Sequence, residues 1–393
     1  MLLVGLPVGK AVADTGKLYS ADKMSSSRVT SVCQDNYGYI WVGTENGLNR
    51  FDGYRFTSYF TEPSDSLSVP DNEATYFLSE GPGRLWIGFA KGLATYDYEH
   101  DCFRRCVFPD GIKPRIETLV PIDAHRMLIG TAGYGIFMLD KRNRKITKEV
   151  SLNRAGGIDD FANGMFLDAK KSLWRWTHQP VLTRSDYSQY KAVNTKDFQL
   201  PSGPVISVLA PNSKGFLLVC MYGILRYDYA SGQISDAGFD LSALNNSVSV
   251  RRAFEGRNGD IYLGTSGSGL MVIRKGSTKL QRVESMGSSE FDLASANVND
   301  VLEDKDGNLW VTCYKKGLYQ ISQAQEAFSS WSFARQNYRL GSSVSSIALG
   351  DNGDVWCTVQ KYGVYKFDAE GRVAAHPAAP SGANTIYRDP AGH

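Results

Sequence analysis

The chain has 393 residues, of which 43 are Lys or Arg and 41 are Asp or Glu, for a formal net charge of +2. Because the basic residues are scattered and no run of about eighteen apolar residues occurs, the sequence indicates neither a nucleic-acid-binding surface nor a membrane span. The 39 Gly, 21 Tyr and 7 Trp residues favour a turn-rich all-β fold, and the length points to two domains or one closed repeat architecture.

The N-terminal stretch, "MLLVGLPVGKAVA", differs in character from the rest of the chain. An apolar run that ends in Ala-Val-Ala resembles the tail of a secretory signal with its small-residue cleavage site. The basic start of such a signal is missing, and Lys10 interrupts the run. We predict that residues 1–13 are the remnant of a signal peptide; the alternative is an N-terminal strand or an unstructured lead.

A hairpin pattern begins with "GYIWVGTENGL" at residues 38–48 and recurs through the chain. It consists of a glycine turn, an aromatic and aliphatic strand, a second glycine turn and another strand. The eight copies align on one large residue each, and subtraction of neighbouring residue numbers gives spacings of 42 to 48: Trp41, Trp86, Leu128, Trp174, Leu218, Tyr262, Trp310 and Trp356. Such a period, with four strand signals per copy, is typical of propeller blades.

Each copy predicts four antiparallel strands, because a strand such as "RVTSVCQD" (28–35) precedes the hairpin and one such as "FTSYF" (56–60) follows it. Asp35 before the first turn suits hydrogen bonds to turn backbone, and Gly38 suits a positive φ angle. The large residue is expected to pack between adjacent blades, because a lone four-stranded sheet cannot bury both faces. We therefore predict core positions rather than ligand contacts for Trp41, Trp86, Trp310 and Trp356.

The pattern D-x-x-G-x-[IL]-W-[VI]-G-T, followed by G-L and [FY]-D, is clearest at residues 35–52. It resembles the two-component-regulator propeller repeat, which builds the periplasmic sensor region of hybrid two-component systems in glycan-degrading bacteria. The resemblance covers about residues 17–393 and implies two seven-bladed propellers, a β-sandwich, a membrane helix, and kinase and DNA-binding parts. We expect residues 14–336 to form one seven-bladed β-propeller of four-stranded antiparallel blades, and residues 337–393 to begin a second, truncated propeller.

The fourth copy departs from the repeat at a position where most copies have a small residue. Gly43 and its equivalents are replaced by Trp176, which is preceded by Arg175 and followed two positions later by His178. The functional interpretation is a stacking platform for a sugar ring, with Arg175 or His178 binding hydroxyls or a carboxylate. The alternative is a divergent blade that has repacked locally around a bulky ring.

The loops between the second and third strands vary in sequence, from "TENG" to "CYKKG", whereas the D-x-x-G turns are short and repetitive. With the first strand innermost, the variable loops and the connections between blades share one face, and the tight turns lie on the other. Variable loops on a rigid scaffold are where binding residues usually lie, although a single exposed Tyr or Lys is also ordinary surface. The loop candidates for ligand binding are Lys91, Tyr134, His178, Tyr222, Tyr314 and Lys315.

Motifs for catalysis or metal binding are not convincing in this sequence. "DKDGN" at residues 304–308 resembles a calcium loop, but its Gly comes fourth rather than sixth. The five His residues are widely spaced and no nucleophile, zinc or phosphate-binding motif occurs. We therefore predict no catalytic residue, no metal ligand and no cofactor.

The six cysteines give weak guidance. Four of them fall in apolar strand-like runs and are predicted to be small buried side chains: Cys33, Cys220, Cys313 and Cys357. The other two, Cys102 and Cys106 in "CFRRC", match neither a redox nor a zinc motif. Whether these two form a disulfide stays open at this point.

Three functional hypotheses follow. The first is a periplasmic ligand-sensing module of a hybrid two-component receptor that detects a polysaccharide breakdown product; this region would not be an enzyme, whereas the full receptor would be a histidine kinase. The second is a glycan-active propeller enzyme, and the third is a protein-binding or dimerisation propeller. The expected partners are an oligosaccharide and the second propeller and β-sandwich of the same receptor, with a homodimer at full length and no nucleic acid.

Overall fold

The structure, a computed structural model, describes residues 16–149, 152, 161–244, 248–283, 292–322, 344–350, 354–368, 372–377 and 383–388. The chain divides into two compact units, Met1–Ala324 and Gln325–His393. Among the described residues, the first unit contains seven four-stranded sheets, named I to VII here, and the second contains one, sheet VIII. The prediction of an all-β fold made of four-stranded antiparallel repeats is confirmed. The predicted signal remnant, residues 1–13, lies outside the described residues.

Strand β1 is Gly16–Tyr19. Sheets I to III then follow in chain order, each made of four consecutive strands. Sheet I contains β2 Val29–Gln34, β3 Ile40–Thr44, β4 Gly47–Phe51 and β5 Phe56–Tyr59. Sheet II contains β6 Ala74–Ser79, β7 Leu85–Phe89, β8 Gly92–Asp97 and β9 Cys102–Arg105. Sheet III contains β10 Arg115–Pro121, β11 Arg126–Ala132, β12 Ile136–Asp140 and β13 Lys145–Lys148.

Sheets IV to VI repeat the same order. Sheet IV contains β14 Gly164–Leu167, β15 Ser172–Trp176, β16 Val181–Ser188 and β17 Lys191–Gln199. Sheet V contains β18 Val205–Leu209, β19 Gly215–Cys220, β20 Gly223–Asp228 and β21 Gln233–Asp236. Sheet VI contains β22 Val250–Glu255, β23 Ile261–Thr265, β24 Leu270–Ile273 and β25 Leu280–Arg282.

Sheet VII combines β26 Val298–Glu303, β27 Leu309–Cys313 and β28 Gly317–Ile321 with the N-terminal strand β1. Sheet VIII of the second unit contains β29 Val344–Leu349, β30 Val355–Val359, β31 Gly363–Phe367 and β32 Val373–Ala375. Two single 3-10 turns, Pro109–Gly111 and Leu293–Ser295, lie between strands of the first unit. Within the described ranges, no helix has the length and apolar character that a bilayer crossing requires.

The D-x-x-G turn is held by the aspartate at its start, as predicted. One Asp35 carboxylate oxygen, Oδ1, accepts hydrogen bonds from the N–H groups of Tyr37 and Tyr39 at 2.9 and 3.0 Å. The other, Oδ2, accepts from Trp41 Nε1 and from the Tyr98 hydroxyl of sheet II, both at 2.7 Å. Gly38 adopts a φ of 94° in this turn. The motif therefore fixes both the turn and a contact to the next sheet.

The repeated tryptophans lie between neighbouring sheets of the first unit. Trp41 is fully buried against sheet II, and Trp86 packs against sheet III. Trp310 packs against sheet I: it belongs to the same buried cluster as Val29, and its ring centroid lies 5.7 Å from that of Phe51. These three core predictions are confirmed. Trp356 belongs to the second unit, in which it is half-buried on β30.

Sheet V corrects one position of the sequence alignment. The side chain that packs against the following sheet is Leu217, whereas Leu218 packs back against sheet IV. The reason is a shorter turn before the strand: the Asn212 N–H donates to the Gly215 carbonyl, three residues on, whereas the Asp35 N–H of sheet I donates to the Tyr39 carbonyl, four residues on. The loop after the strand is unchanged, since Cys220 pairs with Gly223 as Thr44 pairs with Gly47. A shift of one residue turns each side chain to the opposite face of a strand.

The first and last sheets of the first unit are joined by several contacts. Strand β1 pairs antiparallel with β28 and becomes the outer strand of sheet VII. The backbone N–H of Val32 in sheet I donates to Asp300 Oδ2 in sheet VII at 3.1 Å. The Asn299 amide donates to the Val29 carbonyl at 3.1 Å. Sheet I therefore adjoins sheet VII as well as sheet II.

All six cysteines are free thiols. Cys220, Cys313 and Cys357 are buried as predicted, but Cys33 is only half-buried and lines the central cavity described below. Burial raises the pKa of Cys220 and Cys313 to about 12 and that of Cys106 to about 11.

These raised pKa values predict the reactivity of the thiols. At pH 8 the buried groups stay protonated, so we expect iodoacetamide to leave Cys106, Cys220 and Cys313 unmodified in the folded protein and to modify all three in urea. Cys102, which is half-buried on β9, is the internal comparison and should react first. Peptide mass spectrometry after timed alkylation measures this order. Rapid modification of Cys313 without denaturant would contradict it.

Candidate functional site

The variable loops and the connections between sheets lie at the same end of the sheets. The N–H of Gly47, at the start of β4, donates to the carbonyl of Asn72, which precedes sheet II, at 2.8 Å. The N–H of Gly92 donates to the Pro114 carbonyl before sheet III at 2.9 Å. We call this end the loop face. The D-x-x-G turns lie at the opposite end, because successive strands of each sheet are antiparallel.

A cavity of about 680 Å³ is lined by the first strands of all seven sheets of the first unit. In each sheet, one lining residue comes directly after a buried apolar residue at or next to the start of the first strand, as Thr30 follows Val29. We call these seven side chains the bulge ring: Thr30, Thr75, Glu117, Asn163, Ile206, Arg251 and Asn299.

A local irregularity of the strands turns these side chains into the cavity. In six of the seven sheets the pairing between first and second strands skips the ring position, as between Val29 and Ser31 in sheet I. A residue that is skipped in the strand pairing forms a β-bulge, and its side chain points in a different direction from those of its neighbours. The ring is therefore a property of the repeated backbone, and its chemistry varies with the residue that each repeat supplies.

Three members of the ring connect neighbouring sheets. Thr30 Oγ1 donates to the Ala74 carbonyl at 2.7 Å, and Thr75 Oγ1 donates to the Ile116 carbonyl at 2.6 Å. Asn299 makes the corresponding bond to sheet I. These donors satisfy buried backbone acceptors and hold the first strands together. Glu117, Asn163 and Arg251 make no such bond, so their polar groups are directed elsewhere.

A second cavity of about 680 Å³ opens from the ring towards the loop face, and we call it the mouth. Its lining includes Asn163, Trp176, His178 and Arg251. The Asn163 side-chain nitrogen lies 3.2 Å from His178 Nε2. The Asn163 oxygen, Oδ1, is buried and has no hydrogen-bond partner within the described residues. A buried acceptor without a donor is unfavourable, and a ligand hydroxyl in the mouth would satisfy it.

The charged groups in and around the mouth and the central cavity form two clusters. Arg115 forms ion pairs with Glu73 and Glu117 at 2.7 and 3.1 Å. Burial raises the pKa of Glu117, and the Arg115 charge opposes that rise. Arg252 pairs with Asp300 at 2.9 Å, and this carboxylate raises the pKa of the Arg252 guanidinium.

In sheet IV, the structure shows where the residues of the divergent fourth copy lie. Trp176 is 8% exposed, and its indole covers Gly164, where an added Cβ would lie 2.0 Å from the ring. Arg175 is buried and donates from Nη1 to the Leu152 carbonyl at 2.5 Å. Local repacking therefore accounts for Arg175, whose guanidinium is turned into the protein, whereas Trp176 and the exposed His178 line the mouth.

The other five candidates lie on loops of the loop face. Tyr314 is half-buried and lines a smaller cavity of about 390 Å³ that shares Arg251 with the mouth. The other four do not line these cavities: Lys91, Tyr134, Tyr222 and Lys315. Lys91 forms an ion pair with Asp71 at 3.1 Å. Their part in ligand binding stays a prediction.

Sequence reasoning missed the ring residues Glu117, Asn163 and Arg251. A signal for them exists, because they occupy one position in each repeat, directly after an apolar residue, and their type changes from repeat to repeat. Among the described residues, no group of three or more His, Cys, Asp or Glu side chains is placed to hold a metal ion.

Comparison with known proteins identifies the repeats. The family model described as "Two component regulator propeller" matches residues 23–46 and 292–315. Histidine kinase P4 of Formosa agariphila is 48% identical over 48 residues, which are 12% of this chain and 4% of that protein.

Solved structures share the fold at low sequence identity. The extracellular domain of a putative hybrid two component system of B. thetaiotaomicron has a TM-score of 0.66 at 20% identity, over 96% of this chain and 51% of that one. A second such domain from the same organism has a TM-score of 0.61 at 19% identity, over 97% of this chain and 50% of that one. Virginiamycin B lyase of Staphylococcus aureus has a TM-score of 0.60 at 12% identity, over 79% of this chain and 100% of that one.

This chain thus spans about half the length of the two extracellular domains. It carries two-component regulator propeller repeats, and its strands adopt the β-propeller fold of the extracellular domains of hybrid two-component systems.

Proposed function

We propose that this chain is the ligand-sensing part of a periplasmic receptor region in a hybrid two-component system, and that it detects a polysaccharide breakdown product. The repeats and the fold support a sensor role. In this proposal, the ligand biases an arrangement of the receptor that is passed on to its kinase. The remaining parts of the receptor, including a second propeller and a β-sandwich, belong to the proposal.

The observation that carries the ligand assignment is the unsatisfied Asn163 oxygen in the mouth. An oligosaccharide presents many hydroxyl groups, each able to donate to such an acceptor and to accept from a neighbouring N–H. His178 and Trp176 line the same cavity, whose volume of about 680 Å³ is within the usual range for small-molecule sites. The mouth thus combines polar groups with an aromatic wall.

For the architecture, we propose that sheets I to VII close into one seven-bladed propeller and that sheet VIII begins a second. Closure is supported by β1 in sheet VII and by the bonds from Asn299 and Asp300 to sheet I. In sheet VIII, Val344, Ile347 and Leu349 of β29 are 45, 64 and 70% exposed. A neighbouring blade of a second propeller would cover such a strand.

Ligand binding is tested by calorimetric titration with a panel of purified oligosaccharides. The panel contains galacturonate oligomers, sulfated chondroitin disaccharides and neutral galactose oligomers. We expect a member to bind, and we expect Asn163→Ala to weaken its binding by about 5- to 150-fold, because a buried hydrogen bond is lost.

The matched control is Tyr54→Ala, which removes a side chain that is 93% exposed on the turn between β4 and β5. It should leave the affinity unchanged, and the melting temperatures of both variants should stay close to that of the wild type. Equal affinity of Asn163→Ala and wild type would contradict the site. Conversion of the bound saccharide to product would instead favour a propeller enzyme.

A further inference from the structure

Arg115 and Arg251 line the mouth, Arg252 lines the central cavity, and the three arginines differ in their partners. Arg115 lies between two carboxylates, and Arg252 pairs with one. The exposed guanidinium of Arg251 makes no hydrogen bond or ion pair with any residue that the structure describes. It is therefore the cation of the mouth whose donors are available to a ligand.

The position of Arg251 in the ring strengthens this difference. Equivalent side chains at Thr30, Thr75 and Asn299 use their donors on a carbonyl of the next sheet. Arg251 does not, although it occupies the same bulge between Val250 and Arg252. Its side chain lines the central cavity, the mouth and the smaller cavity beside Tyr314. The residue thus lies where all three spaces meet.

The charged groups in and next to the mouth form two unequal sides. Glu73 and Glu117 share the single cation of Arg115, so that side carries an excess of negative charge. Arg252 pairs with the single carboxylate of Asp300 and Arg251 adds a second cation beside it, so the other side carries an excess of positive charge. An anionic group is therefore attracted towards Arg251 and repelled from Glu117.

We infer that the ligand recognised in the mouth is an acidic saccharide, and that Arg251 binds its carboxylate or sulfate group. This inference rests on the proposed function and names its ligand class. The planar guanidinium matches two oxygens of either group with parallel hydrogen bonds, which a lysine ammonium does not reproduce. The acceptor of Asn163, in the same cavity, takes a hydroxyl of the sugar ring.

The inference is tested with the same oligosaccharide panel and three variants of the chain. Arg251→Gln removes the charge, Arg251→Lys keeps the charge without the planar fork, and Arg226→Gln is the control. Arg226 is exposed on β20 and does not line the three cavities. We expect galacturonate oligomers or sulfated disaccharides to bind the wild type, and Arg251→Gln to weaken that binding by about 10- to 150-fold.

Several outcomes distinguish this inference from the proposed function itself. Arg251→Lys should bind with intermediate affinity, and raising the salt concentration should weaken the wild type more than Arg251→Gln. Because sulfated chondroitin disaccharides also carry a uronate carboxylate, comparison with the same disaccharide without sulfate shows whether Arg251 binds the sulfate or the carboxylate. Binding of neutral oligomers alone, or equal affinity of Arg251→Gln and wild type for an acidic one, overturns the inference and leaves the sensor proposal standing. A folded chain that binds no member of the panel overturns both.

Discussion

Replacing Trp41 by alanine is expected to lower the free energy of unfolding by about 3–5 kcal/mol. Trp41 is fully buried and packs against Phe89, Tyr96 and Phe103 of sheet II, so the change leaves a cavity between two sheets. It also removes the indole N–H that donates to Asp35 Oδ2 at 2.7 Å. Both losses act at one contact between sheets, where neighbouring side chains have little room to close the gap.

A graded series separates packing from hydrogen bonding at this site. Trp41→Phe keeps an aromatic ring and loses the indole N–H, while Asp35 retains the bonds from Tyr37, Tyr39 and Tyr98. It should therefore destabilise the protein less than Trp41→Ala does. Tyr54→Ala, at an exposed turn, should change nothing. Urea unfolding measures the series, and an unaltered midpoint for Trp41→Ala would show that this ring is not a core residue.

Replacing Tyr19 by alanine is expected to have an effect of similar size, about 3–5 kcal/mol. Tyr19 is 6% exposed, and its ring lies within 5.3 to 5.9 Å of the rings of Phe51, Phe56 and Trp310. It anchors β1, which is the outer strand of sheet VII. Loss of this anchor weakens the attachment of β1 and uncovers the edge of β28, so the variant should also self-associate.

Hydrogen exchange locates the effect of this change. In Tyr19→Ala, the amides of Gly317–Ile321 should exchange faster than in the wild type, whereas β20 of sheet V should change much less. Tyr19→Phe is the matched control, because it removes only the hydroxyl that donates to Gln320 at 3.1 Å and costs about 0.5–1.5 kcal/mol. Unchanged protection of β28 in Tyr19→Ala would contradict the proposal that β1 closes the propeller of sheets I to VII.

Short-range patterns made much of the fold predictable. Asp35, Gly38 and Trp41 lie within one turn and one strand, and three hydrogen bonds to the Asp35 side chain come from within residues 35–41. Because the same local chemistry recurs in the copies, the repeat, the four-stranded sheets and the buried tryptophans follow from the sequence. Where the first turn is one residue shorter, as between Asn212 and Gly215, the alignment is displaced by one residue and assigns Leu218 to the position that Leu217 occupies.

The candidate site was only partly predictable. The departure at Trp176 and His178 was visible as a break in the repeat, and both residues line the mouth. Arg175 belonged to the same break, but its guanidinium bonds to Leu152, a contact that depends on the path of the chain between two sheets. Sequence pattern alone does not distinguish a side chain that lines a cavity from one that enters the protein.

Sequence by itself determined the repeat, its turns and the residues between sheets, because these depend on hydrogen bonds and apolar contacts that recur at a fixed spacing. Tertiary structure decided which strand completes sheet VII, since β1 pairs with Gln320 and its neighbours about 300 residues away. It also decided the chemistry of the mouth, where Glu117, Asn163 and Arg251 come from three different sheets. Glu117 and Arg251 face the cavity because the pairing of their strands skips them, and Asn163 directly precedes the first paired residue of its strand. The distances among the three residues depend on how their sheets pack together.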